Sequence, residues 1–392
     1  MGMFILEAPY VSPQLRDAAA NAARMILDTA AARAALRGAP LVTDAAFAAA
    51  WHQDPAARLY TNSENALAWI AEHLADTPLV QQISSMKDKV RFREVMAEHD
   101  PEYRFQSIDA SELDAFDPTS MAGPFVVKPA VGFFSLGVEI IGEPSDWPAA
   151  AARLRRAATR FRGLYPESVL DLERFVVEEV IEGDEFAVDA YYDESGQVTI
   201  INIYEHPFAH GADVSDRVYR VAPDVIERSH DIFENELRAL GERAELRNVP
   251  IHVEYRIDAA GRARPIEANP MRFGGWCAAD ITSHAWGYCP YRAFVENQRP
   301  DWSRLCEERR GRNTALIVAD LPADLDRHRI EFIDYEAFTS RFNKVLELRR
   351  IEDPAQPVFA FLFVEVSDDE RDQLDAILHA DLTQYIRLEA RT

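Results

Sequence analysis

IHVEYRIDAAGRARPIEANPMRFGGW, residues 251–276, is the stretch around which the rest of the chain can be read. Ile251, Val253, Tyr255 and Ile257 alternate with His252, Glu254 and Arg256, the period-two pattern of a strand with one buried face. Asp258 to Gly261 is a turn signal and Arg262 to Asn269 continues in extended form, which predicts a hairpin. With the turn centred between Ala260 and Gly261, Glu254 stands opposite Glu267, and His252 opposite Asn269. Two carboxylates about 5 Å apart on facing strands repel each other unless a cation lies between them. Glu254, Glu267 and Asn269 offer only oxygen donors, which suit Mg2+ or Mn2+ on phosphates rather than zinc. The competing reading is a solvated hairpin carrying unpaired acids.

At 392 residues, with 48% hydrophobic and 28% charged residues, the chain has material for two or three packed units. A formal net charge of −24 repels polyanions, so nucleic acid and anionic membrane are not expected partners. A small anionic ligand needs only a local basic pocket and stays open. No apolar run reaches membrane-spanning length and the N-terminus lacks a secretory pattern, so a cytoplasmic location is expected. Cys277, Cys289 and Cys306 lack metal-site spacing and read as reduced thiols. Of 42 basic residues only Lys87, Lys89, Lys128 and Lys344 are lysine. In so arginine-biased a chain, a retained lysine suggests a place that needs a compact ammonium.

Strands at Met3–Ala8, 41–43 and 59–61 alternate with helical patterns, among them an Ala-rich stretch from Ser12-Pro13 to about Leu36. This predicts a small parallel α/β unit. Ser85, followed by Asp88, predicts the N-cap of a helix to about His99, with Lys87 and Lys89 at its positive end. Phe125 to Lys128 reads as a strand, 130–137 as a glycine-containing loop able to turn N–H groups toward a phosphate, and Val138–Ile141 as the returning strand. Arg174–Ile181 and Phe186–Tyr192 are further strands, and Glu205–Arg220 reads as a polar connection. A charged run at 307–312 marks a boundary before a C-terminal α+β segment.

Taken together, residues 84–276 resemble the ATP-grasp superfamily, specifically carboxylate–amine ligases such as D-alanine–D-alanine ligase and carbamoyl-phosphate synthetase. The resemblance rests on an ordered set: Asp88-Lys89, VVKP at 126–129, SLGV at 135–138, VVEEVIEGDEF at 176–186, and the Glu254/Glu267-Ala-Asn269 hairpin. It implies an α/β (α+β) ATP-grasp fold with an N-terminal parallel α/β domain (1–83) and an ATP-grasp domain (84–300). A mobile lid (about 112–178) and a small α+β C-terminal cap (301–392) complete that division. It further implies that Lys89, Lys128 and Ser135 bind ATP phosphates, that Glu178, Glu179, Val180 and Ile181 face adenine mostly through backbone, and that Glu185 takes the ribose. Glu254, Glu267 and Asn269 would ligate magnesium, and Arg272, with Lys128, would steady the transferred phosphoryl group. His206, His210, Arg217 and Arg220 are candidates for one further cation, while Tyr219, Arg220, Arg272 and Trp276 are candidate substrate contacts. The implied activity joins a small-molecule carboxylate to an amine through an acyl phosphate, with a homodimer as an open possibility. A phosphotransferase on the same scaffold, or a nucleotide-binding protein without turnover, are the alternatives.

Overall fold

The computed structural model describes residues 1–21, 24–54, 56–132, 137–161, 171–209, 216–322, 325–353 and 355–389. Strand Gly2–Ile5 lies between Arg24–Ile26 and Arg58–Thr61 in a three-stranded parallel sheet. The Ala-rich stretch is not one helix. It divides into helices Pro13–Ala19 and Ala30–Ala35, with the strand Arg24–Ile26 between them. Ser12 and Thr29 cap the two helices by accepting from the Leu15 and Ala32 amides. Pairing with the buried Gly2–Ile5 strand overrides a local pattern that reads as helix.

Two short helices follow, Pro78–Lys87 and Lys89–Met96. The expected cap at Ser85 lies inside the first of them. The cap of the second is Asp88, whose Oδ1 accepts from the Val90 and Arg91 amides at 3.0 and 3.1 Å. Lys87 therefore ends one helix and Lys89 opens the next, which is how both ammonium groups reach the same cleft.

Strands Phe105–Asp109, Asp171–Glu179, Phe125–Val131 and Glu139–Ile141 form an antiparallel sheet in that order. Helix Trp147–Phe161 covers it through Trp147, Ala151 and Leu154. The stretch read from sequence as the lid, about 112–178, falls within this unit, which starts earlier, at Phe105.

The largest sheet has eight strands. From the hairpin edge they run Ala263–Pro270, Pro250–Ile257, Asp184–Tyr192, Val198–His206, Val218–Val221, Arg312–Asp320, Val358–Ser367 and Val345–Arg350. The Val218–Val221 strand falls within the stretch read as a polar connection. It provides the edge on which Arg312–Asp320, Val358–Ser367 and Val345–Arg350 extend this sheet, while Ile330–Ile333 and Ile386–Leu388 pair in a separate two-stranded sheet. Helix Pro223–Arg243 covers one face, packing Phe233 against Phe186 and Tyr255 at ring separations of 5.5 and 5.0 Å. The other face carries His252, Glu254 and Arg256, and it holds the candidate site. Among the described residues no helix is long and apolar enough to cross a membrane.

Candidate nucleotide and metal site

Register decides which side chains share the front face. Glu254 pairs with Glu267 and His252 with Asn269. The turn, however, is centred on Ala260, because Ile257 pairs with Ala263, Arg256 with Arg264 and Tyr255 with Pro265. On that register Glu254 would face Ile266. A bulge at Ile266 shifts the pairing by one residue and brings Glu267 round to the front. Arg93 fastens the bulge, donating to the Pro265 carbonyl at 2.6 Å and the Ile266 carbonyl at 3.1 Å.

The two acids differ in surroundings. Burial raises Glu267, but Lys89, 3.1 Å away, together with Lys87 and an Asn269 amide at 3.1 Å, outweighs it and holds the carboxyl below the ordinary range. Burial also pushes Glu254 well up, and Glu267, Glu185 and Asp216 push it further. Glu254 accepts no hydrogen bond from any described residue, and its nearest basic atom is His252 Nε2 at 3.9 Å. An acid ribbon with one ionised member and one strained toward neutrality fits a hard cation with oxygen ligands from Glu254, Glu267 and Asn269.

Arg272 acts on Glu254, and a further cation, Lys128, is held by an acid of the smaller sheet. Lys128 Nζ lies 2.8 Å from Glu178, which also takes the Arg93 guanidinium at 2.5 Å. Burial raises Glu178, yet these two cations bring it down to about 2. Glu178 is therefore an anchor between lid and helix, with its side chain spent inside the protein. Its neighbours differ. The Val180 carbonyl and Ile181 amide have no partner among the described residues, and both residues line a cleft of about 220 Å³ together with Glu179, Glu182, Arg256 and Arg264. Gly183 lets the hinge approach the hairpin, since a Cβ there would stand 2.1 Å from the Ile257 carbonyl oxygen. A larger cavity, about 400 Å³, lies behind the hairpin beside Tyr103 and Glu236, away from the paired acids.

Arg272 follows Met271, a buried residue with φ of +71°, in the left-handed region. Thr61 holds that backbone, its amide and hydroxyl donating to the Met271 carbonyl at 2.8 and 3.2 Å. The unusual turn aims Arg272 at Glu64, 3.2 Å away. Glu64 also takes Lys87 at 2.5 Å, so the N-terminal α/β unit contributes a carboxylate to the site. Its only sequence signal is the polar run Asn62 to Asn65 after a strand. Asp189 was equally unmarked. Fully buried, it accepts from the Gly274 amide at 2.8 Å and pairs with His252 Nδ1 at 2.7 Å, fixing the turn after the hairpin.

The other sequence candidates separate. Glu185 lies on the front face, paired with His206 and Arg256. Tyr219 stacks on His206 at 4.5 Å, and Trp276 packs with Tyr10 and Phe361 at 6.1 and 5.5 Å. Arg220 lies on the back face, bound to Glu205, Asp224 and Asn313, because successive residues of a strand point to opposite sides. Arg217 is bound to Asp320 and the Ala380 carbonyl, leaving His206 as the described candidate cation on the front face. Ser135 and His210 lie outside the described residues.

Residues 121–280 match the sequence profile of the ATP-grasp domain. This stretch is an ATP-grasp domain. No curated protein matches the chain in sequence. In three dimensions the chain is similar to an L-amino acid ligase from Bacillus licheniformis, with a TM-score of 0.72 at 15% identity over 100% of this chain and 99% of that one. It is also similar to N5-carboxyaminoimidazole ribonucleotide synthetase from Thermotoga maritima, with a TM-score of 0.66 at 12% identity over 100% and 99%. A third likeness is to biotin carboxylase from Campylobacter jejuni, with a TM-score of 0.62 at 12% identity over 93% and 87%. At these identities the likeness is one of fold. The ATP-grasp domain carries the paired acids on the main sheet and Lys128 on the smaller antiparallel sheet, while Lys87 and Lys89 come from the two helices before it.

Proposed function

We propose that the protein is an ATP-dependent ligase that joins a carboxylate to an amine through an acyl phosphate, releasing ADP and phosphate. The observation that carries this reading is the Glu254–Glu267 pair with Asn269, surrounded by Lys87, Lys89, Lys128 and Arg272, each held by a carboxylate. Mg2+ or Mn2+ held by Glu254, Glu267 and Asn269 would neutralise charge on phosphate oxygens. Lys89 and Lys128 bind the phosphates, the Val180 carbonyl and Ile181 amide read adenine, and Glu185 faces the ribose. Nucleotide complexes of relatives with this fold support the reading, including a biotin carboxylase domain from Hydrogenobacter thermophilus crystallised with MgADP and bicarbonate.

The chemistry requires little covalent work from side chains. A carboxylate is a poor acyl donor because its leaving group would be oxide. Transfer of the γ-phosphoryl group to the carboxylate supplies a phosphate leaving group, which the amine displaces as the C–N bond forms. Charge spreads over the phosphoryl oxygens in the transfer, and Arg272 and Lys128 stabilise it there. The acyl phosphate hydrolyses readily, so closure of the lid, about 112–178, over the cleft protects it. Tyr219, stacked on His206, and Trp276, packed on Tyr10 and Phe361, would border the acid and amine.

The test is ADP and phosphate release from ATP and Mg2+ with pools of acids and amines. A ligase needs one of each. A stable phosphorylated product from a single acceptor would establish a phosphotransferase instead, and binding without release would remove the catalytic reading.

A further inference from the structure

The carboxylate of Glu185 is held on both sides. Arg256 Nε and Nη2 approach the same oxygen, Oε2, at 3.1 and 3.0 Å. His206 Nδ1 lies 3.1 Å from the other oxygen, Oε1. Glu185 is ionised, since the His206 and Arg256 contacts outweigh burial and lower it. An ionised carboxylate only accepts, so the His206 proton on this side must be at Nδ1. His206 is 5% exposed and stacked on Tyr219, so it cannot turn away without opening the packing. Arg256 is fixed at its other end, donating to the Ile181 carbonyl at 2.8 Å.

The position of Glu185 follows from register. Glu254 pairs with Ala187, and Arg256 pairs with Glu185, two residues along the strand. Glu185 therefore lies about 7 Å from the acid ribbon toward the hinge. With phosphates at the ribbon and the base at the Val180–Ile181 hinge, the group that reaches Glu185 is the sugar. This step rests on the nucleotide site proposed above.

A carboxylate has about four acceptor sites, two on each oxygen. Among the described residues, Arg256 covers Oε2 from one side, with Nε donating at 3.1 Å and Nη2 in ion-pair contact at 3.0 Å, and His206 takes one site on Oε1, so the approach left open is on Oε1. We propose that Arg256 and His206 are positioning residues that leave Glu185 a single acceptor, so the protein recognises one sugar hydroxyl of its nucleotide and is indifferent to the other. A carboxylate free on both oxygens would grip the two hydroxyls together.

The test is calorimetric titration of the whole protein with Mg2+ and ATP, 2′-deoxyATP or 3′-deoxyATP, without acid or amine, so that binding is read apart from activity. One deoxynucleotide should bind about tenfold or more weakly than ATP, the loss of one charge-assisted hydrogen bond. The other should stay within about twofold of ATP. Arg256→Met frees Oε2 and His206→Phe frees Oε1 while keeping a ring on Tyr219. In each the difference between the two deoxynucleotides should fall to within about twofold, and Arg256→Lys should restore part of it. Equal weakening of both deoxynucleotides in the unaltered protein, equal indifference to both, or persistence of the asymmetry in both Arg256→Met and His206→Phe would overturn the inference. Failure of the unaltered protein to bind ATP would instead overturn the nucleotide reading beneath it.

Discussion

Two clusters of acids lie at opposite ends of the same sheet face and are treated in opposite ways. At the far edge, Asp280 accepts from Ser12, Tyr291 and Arg349 at 3.0, 2.5 and 2.5 Å. Arg349 spends its other two nitrogens on Glu347 at 2.8 Å each, and His284 lies 3.1 Å from the same carboxylate. Every donor there has an acceptor. At the hairpin edge, Glu254 accepts nothing from the described residues and faces a second acid. A buried network that is fully satisfied holds a fold together, whereas an acid left in deficit reserves its lone pairs for something that arrives later. The difference in satisfaction, rather than the number of acids, separates structural from candidate functional charge in this molecule.

The sharpest way to break the comparison is to remove a hairpin acid. Glu267→Gln should lower turnover more than about 100-fold, because a metal ligand is lost where the phosphoryl group moves. Its circular dichroism spectrum should match that of the unaltered protein, and turnover near the original level would sink the metal assignment. At the far edge the same kind of change acts on stability. Arg349→Met leaves Asp280 buried without its cation and should cost about 3–5 kcal/mol in urea unfolding. A loss below about 1 kcal/mol would show that the cluster is not what holds that edge.

Glu178 sharpens the contrast through pH. Its folded value, brought down from 4.5 to about 2, means that its pairing with Arg93 and Lys128 stabilises fully above about pH 4.5. That contribution fades as pH falls from 4.5 through 2. The stability difference between the unaltered protein and Glu178→Gln should therefore be constant near neutrality and shrink across that acid window. A difference that stays level down to pH 2 would contradict the assigned pairing.

The smallest effect on stability is also the most diagnostic. Glu254→Gln removes a like-charge pair and should raise the stability of the metal-free protein by about 0.5 kcal/mol, seen as a higher urea midpoint in EDTA. The same substitution should remove turnover. A lower midpoint would mean that Glu254 has a structural partner after all.

Much of the site was legible because it depends on short-range alternation. The odd and even positions of 251–257 separate His252, Glu254 and Arg256 from the buried Ile251, Val253 and Tyr255, and the structure keeps that division. The same rule, applied across Val218–Val221, would have separated Tyr219 from Arg220 had that segment been read as a strand. Glu64 and Asp189 were missed because their partners lie 208 and 85 residues away in sequence.

The sequence by itself determined which residue types a phosphate site would draw on, and that Glu254 and Glu267 belong to one ribbon. It placed the turn half a residue from where it lies, and reached the right pair only because the Ile266 bulge supplies the compensating shift. Only the tertiary structure decided that bulge, through Arg93 reaching in from a helix about 170 residues earlier to hold two carbonyls. It also decided that three of the C-terminal strands join the main sheet. Local pattern sets which face a side chain takes, because strand geometry repeats every two residues. Pairing between distant segments depends on which edges packing leaves open, and no local pattern carries that information.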